Sequence, residues 1–148
     1  MENQTRKQSE EILAEIYRNA QLALQSIHDI LPQVEDPEVK EELLLQHEEY
    51  EKFSSRASML AKDRNIELKE PNMFKKAMMW GSIKMSSLSD NSRSHIADMM
   101  LQGTVMGISA LRTSENETCE GANEDIMQLL KEMITREEEF EKKWKTFL

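Results

Sequence analysis

The sequence predicts an all-α fold, a four-helix bundle, and three observations carry that reading. Two apolar stripes advance by alternating steps of three and four: Val39, Leu43, Gln46, Tyr50, Phe53, Ala57, Leu60, and Ile126, Leu129, Met133, Glu137, Phe140, Trp144, Phe147. This spacing brings side chains onto one face of a helix. Only four glycines and three prolines occur in 148 residues, which removes most turn vocabulary. Glu, Lys, Leu, Met, Ala and Gln are abundant, and all favour helix. The length suits one domain, 1–148, able to bury about two thirds of the surface of its unfolded form.

The first helix is predicted from near Thr5 to Leu31, with an apolar face of Leu13, Ile16, Ala20, Ala23, Ile27 and Ile30 widened by Tyr17, Leu24 and Leu31. A turn at 32–37 follows, in which Asp36 is an N-cap and Pro37 takes the first helical position. The second helix then continues to about Asn65, and the short connection makes the two antiparallel neighbours. Pro71 stops any helix running through it. A shorter apolar stretch spans about 72–88, and Asp90 or Asn91 is read as the cap of the next helix. That helix has the face Ile96, Met99, Met100, Gly103, Met106, Gly107, Ala110 and Leu111. Residues 113–123 are read as the last loop, and Asn123, followed by Glu124 and Asp125, as the cap of a final helix reaching nearly to Leu148. If 72–88 travels back along the bundle, the second and third long helices run parallel. The rival arrangement lays the short helix across one end.

The formal charge is −9, from 28 acidic against 19 basic residues, and no stretch concentrates lysine and arginine. Phosphate backbones and anionic membranes are poor partners for such a chain. Cys119, the sole cysteine, has no CxxC neighbour, so a reducing, cytoplasmic compartment is expected. No apolar run of about 18 residues suggests a membrane span or signal peptide. The Asn-x-Thr tripeptides at Asn3 and Asn116 are then chance matches.

The turn region from Leu31 through Asp36 and Pro37 to Leu43, a long second helix, a short amphipathic crossover and two closing helices together resemble the small bacterial ferritin-like proteins. The resemblance implies a ferritin-like four-helix bundle with a short crossover helix between the second and third long helices. Di-iron members of that class place an inward glutamate on two helices and a Glu-x-x-His pair on the other two. Here the pairs matching that spacing are Tyr50 with Phe53 and Glu137 with Phe140, and the remaining counterparts are Ala20 and Gly103. One carboxylate among aromatic rings is not the ligand set of a hard cation, and no Glu-x-x-His occurs in the chain. No di-iron centre and no other cofactor is expected.

Glu137 interrupts an apolar stripe, where an unpaired charge is costly. It is either hydrogen-bonded across the bundle, to the Tyr50 hydroxyl or to Gln46, or rotated into solvent beside Glu138 and Glu139. His47 with Glu51 and His95 with Asp98 are weak candidates for a surface metal site, since two ligands rarely make a specific one. Eleven methionines fit packing better than soft-metal binding. Between 73 and 88, Phe74, Met78, Met79, Trp80 and Ile83 cover more than one helical face, which suggests an association surface and a homo-oligomer, a dimer first. Gly103 and Gly107 offer a recess for a bulky ring or, if unfilled, a small-ligand pocket. No nucleophile has a nearby base, and no glycine-rich phosphate loop is present. The sequence therefore reads as a non-enzymatic oligomerising or partner-binding module. A metal-binding or oxidative-stress protein and a binder of a small apolar ligand are the alternatives.

Overall fold

A computed structural model describes residues 2–69, 90–117 and 123–148, the side chains of the first seven residues apart. Among the described residues there are four α-helices and no strand: α1 (Glu2–Ile30), α2 (Pro37–Asp63), α3 (Arg93–Glu117) and α4 (Glu124–Lys145). None is long and apolar enough to cross a membrane. The predicted short helix at 72–88, with Phe74, Met78, Met79, Trp80 and Ile83, lies outside the described residues, as does Cys119.

Local chemistry explains each boundary. After α1 the chain tightens into a 3-10 turn, Leu31–Gln33, in which Pro32 has no N–H to continue an α-helical ladder. Asp36 is extended, and its Oδ1 accepts from the amides of Glu38 and Val39 at 3.0 and 3.2 Å, so it caps α2 as predicted. Arg93 adds two bonds to the same carboxylate, at 2.7 and 3.1 Å. At the far end of α2, Asn65 takes φ 55°, the amide of Ile66 donates to the Ala61 carbonyl at 2.8 Å, and that of Asn65 to Lys62 at 3.2 Å. This is the Schellman ending, with asparagine in the left-handed position that glycine usually fills.

Two expected caps are corrected. Neither Asp90 nor Asn91 caps α3; Ser92 does, its Oγ accepting from the His95 amide at 3.3 Å and its carbonyl from Ile96 at 3.0 Å. Asp90 instead accepts from the Ser92 amide, and Asn91 donates to the Gln33 carbonyl. Asn123 keeps its place before α4, its carbonyl accepting from Met127, but its side chain donates to Ser9 Oγ on α1 at 3.2 Å rather than capping. The expected loop from 113 is also too early. α3 continues to Glu117, supported by Arg112 bridging to Glu115 one turn on and to Glu138 of α4.

α1 packs chiefly along α2, and α3 along α4. Arg93 at the start of α3 meets Asp36 at the start of α2, whereas Arg64 at the end of α2 meets Asp125 at the start of α4 at 2.6 Å. α2 and α3 therefore run parallel. The end of α2 and the start of α3 thus lie at opposite ends of a 27-residue helix, about 40 Å long at 1.5 Å per residue.

Every residue of the α2 stripe is buried except the half-buried Leu60, and the whole α4 stripe is buried. On α3, Met106 is 46% exposed, and Ala97 and Thr104 take places in the interior. Consecutive helical residues lie about 100° apart, so a buried arc through Met100, Gly103, Gly107 and Leu111 leaves Met106 outside.

The Asp36 cap yields an expected result. The Arg93 hydrogen bond first, then the backbone amides, hold the Asp36 carboxyl below its ordinary value. The stabilisation this gives is present above the ordinary carboxylate range and is lost as pH falls through the lowered value. Asp36→Ala should lower the melting temperature, more at low than at high salt, and Asp36→Asn less, because the amide oxygen still caps. Thermal unfolding at two ionic strengths checks this.

Candidate functional site: a carboxyl at the waist

The middle of the bundle is built around Glu137, which is 2% exposed. It sits on the α4 stripe between Met133 and Phe140, so helix geometry directs it inward with its apolar neighbours. Tyr50, 3% exposed on the facing stripe of α2, donates its hydroxyl to Glu137 Oε1 at 3.1 Å. Of the two partners the sequence offers, tyrosine is the one used. Gln46 is committed elsewhere: its Oε1 accepts from Trp144 Nε1 at 3.2 Å, and its Nε2 donates to Glu42 at 3.0 Å.

Burial pushes the Glu137 carboxyl from an ordinary 4.5 up to about 8, against the opposing hydrogen bond from Tyr50. Burial, and then the adjoining Glu137 charge, raise the Tyr50 hydroxyl well above its ordinary value of 10.0. At neutral pH the waist thus holds a largely neutral carboxylic acid and a neutral phenol. Glu137 Oε2 is buried with no hydrogen-bond partner among the described residues. It faces α3 where Gly107 lacks a side chain: a Cβ there would lie 3.1 Å from Oε2 and 3.2 Å from both Glu137 Oε1 and Asn19 Oδ1. An alanine there would require the carboxyl or the amide to give way by a few tenths of an ångström. Around these groups lies a cavity of about 30 Å³, bordered by Leu22, Ala23, Met100, Gly103, Thr104 and Met106.

Aromatic rings close the rest of the waist. Phe140 tilts against Tyr50 with centroids 5.4 Å apart, and the Arg136 guanidinium covers Phe140 at 5.0 Å. Phe53 is buried, with Arg56 at 6.0 Å from its ring. Ala20 is fully buried, but the α1 residue that faces the carboxyl is Asn19, one position earlier. Sequence reasoning missed Asn19, although Ser9, Asn19 and Ser26 are polar residues buried on α1, the last two seven residues apart. On α3 it is Gly107 that lies against the carboxyl, and Gly103 borders the same cavity.

Were the layout ferritin-like, a di-iron centre would be expected at this level, and the residues do not fit one. The waist offers one carboxyl, already taking a phenol proton donor, beside an amide, a glycine and aromatic rings. Hard cations require several anionic oxygens.

The surface candidates are only partly brought together. His47 Nδ1 lies 2.7 Å from Glu51 Oε1 on an exposed turn. Asp98 accepts from Gln102 Nε2 at 3.0 Å. Among the described residues no three His, Cys, Asp or Glu side chains converge.

Removing the phenol hydroxyl tests the pair. Tyr50→Phe leaves a buried acceptor without its donor, at an expected cost of about 1–3 kcal/mol. It should also move the Glu137 titration above about 8, because the hydroxyl is the group holding it down. A carbon-13 titration of the glutamate carboxyls, with urea unfolding, checks both.

No family model matches the chain, and neither a curated protein nor a solved structure shows significant similarity to it.

Proposed function

We propose that this chain is a non-enzymatic association module: a helical bundle of ferritin-like layout whose waist is closed by a phenol–carboxyl pair and aromatic rings instead of metal ligands, and which pairs with a second copy of itself. The observation that carries the reading is the Tyr50–Glu137 hydrogen bond at the bundle centre, with burial raising the carboxyl to about 8. A largely neutral acid bonded to a phenol is suited to holding helices in register and is a weak ligand for metal ions. The parallel run of α2 and α3 supports the layout, since such a bundle needs one long crossover.

Self-association rests on apolar surplus. Phe74, Met78, Met79, Trp80 and Ile83 exceed what one helical face can bury. Leu44, Leu45 and the 66%-exposed Met59 on α2, with Val105 on α3, add exposed apolar surface. Light scattering at tens of micromolar should give a dimer mass, and a monomer mass throughout that range would end the proposal.

The competing reading, a metal-binding protein of oxidative stress, predicts near-stoichiometric iron, manganese or zinc in protein from metal-supplemented cells. Elemental analysis separates the two. A binder of an apolar molecule is less well supported, because a benzene-sized guest needs a cavity of about 150 Å³, and the waist cavity is about 30 Å³.

A further inference from the structure

The polar atoms bordering the waist cavity share one property. Glu137 Oε1 and Oε2 and Asn19 Oδ1 converge on the recess beside Gly107. The donors nearby are already used. Asn19 Nδ2 donates to the Glu15 carbonyl and carboxylate at 2.9 and 3.1 Å, the Tyr50 hydroxyl to Glu137, and the Thr104 hydroxyl to the Met100 carbonyl at 2.8 Å. What remains is a set of acceptors carrying, once the carboxyl ionises, one negative charge.

The best occupant brings several donors, one positive charge and no lone pair, within about 30 Å³. Water can donate to two of these acceptors but leaves its own lone pairs unmet and the charge uncompensated. A divalent cation asks for about six oxygens. An ammonium group has three or four N–H donors and no acceptor. Leu22, Ala23 and Met100 are apolar walls, and the half-exposed Met106 marks the mouth between α1 and α3.

We propose that the waist is a binding site for a protonated amine, either the ammonium ion or the head of a short primary alkylamine, held between the Glu137 carboxylate and Asn19 Oδ1. An alkyl tail would leave along Leu22, Ala23 and Met106. No covalent bond forms: the Glu137 O–H breaks, its proton passes to the buffer, and the ammonium takes its place. The other titratable groups near the site are Glu15 on α1, tied to Asn19 and Arg18, and Tyr50 on α2, and no cavity-bordering residue of α3 titrates. Binding therefore strengthens as pH rises toward the value at which Glu137 ionises, about 8. This goes beyond the association reading, and light scattering does not bear on it.

The test is calorimetric titration of the whole protein at about pH 8.5 with ammonium or methylammonium chloride, using potassium and tetramethylammonium chloride as controls of equal ionic strength. The expected result is saturable binding of the first two only, with roughly a quarter of a proton released per amine at this pH, where a carboxyl titrating near 8 is already mostly ionised, and close to one at about pH 7, in a pair of buffers of different ionisation enthalpy. Tighter methylammonium identifies an alkylamine head, and tighter ammonium identifies the free ion. Glu137→Gln should abolish the binding. Gly107→Ala, which places a methyl against both oxygens, should weaken it at least tenfold. Should a variant fail to fold, nuclear Overhauser contacts from methylammonium to the Met106 methyl in the unaltered protein decide the matter. Equal responses to all four salts, or an ammonium response surviving in folded Glu137→Gln, would overturn the proposal.

Discussion

Between about pH 5 and pH 8 the folding stability of this protein is expected to fall by roughly 3 kcal/mol, and Glu137→Gln is expected to remove that slope. The unfolded carboxyl releases its proton near 4.5 and the folded one near 8. Within that window the unfolded state binds one proton fewer, so stability declines by about 1.4 kcal/mol per pH unit. The contribution is fully present below the unfolded value and gone above the folded one. Glutamine keeps an acceptor for Tyr50 and brings an N–H toward Asn19 without titrating. The variant should therefore be the more stable protein at pH 8 and above. Asp36, Asp90 and Asp125 are all lowered, and work in the opposite direction at more acid pH. Urea unfolding at half-unit pH steps, wild type against variant, isolates the glutamate. A flat wild-type profile across the window would show that the carboxyl is ionised or exposed.

Trp144→Ala is expected to cost about 3–5 kcal/mol, the range for deleting a buried large aromatic side chain. Trp144 is fully buried, leans on Phe147 with centroids 5.9 Å apart, and donates Nε1 to Gln46 across the bundle. The substitution opens a cavity and leaves the Gln46 carbonyl without a donor. Against a typical total of roughly 5–15 kcal/mol, the variant should be close to unfolding at 37 °C. Trp144→Phe fills most of the space but still strands Gln46, so a loss of about 1–3 kcal/mol is expected. Urea midpoints for the pair separate volume from hydrogen bond.

How much was legible follows from which signals are local. The stripes of α2 and α4 could be read residue by residue, because an amphipathic helix writes its buried face into its own spacing. The Asp36 cap was equally readable, since aspartate before proline satisfies neighbouring amides whatever packs around it. Ser92 was not separable from Asp90 and Asn91, because all three are good caps and the choice depends on Gln33, far away in sequence, taking Asn91. The end of α3 was misplaced because Thr113–Glu117 looks like loop in composition and is held by Arg112 reaching α4. At the waist, stripe positions singled out Glu137 and offered Tyr50 or Gln46 as its partner, but the choice between them, and between burial and solvent, needed the packing. Asn19 was not legible, since choosing between adjacent residues of α1 needs the rotation of that helix against α3, which a one-residue error of register hides.

Tyr50 and Glu137 stand 87 positions apart in sequence, and Gln46 and Trp144 stand 98 apart. Each helical hairpin, α1 with α2 and α3 with α4, pairs helices separated by only a few residues of sequence, whereas these bonds form only after the hairpins come together. Loop closure of that length is slow relative to hairpin collapse. The docking step should therefore coincide with the uptake of a proton from solvent, and refolding monitored with a pH-indicator dye should show that uptake in the slow phase.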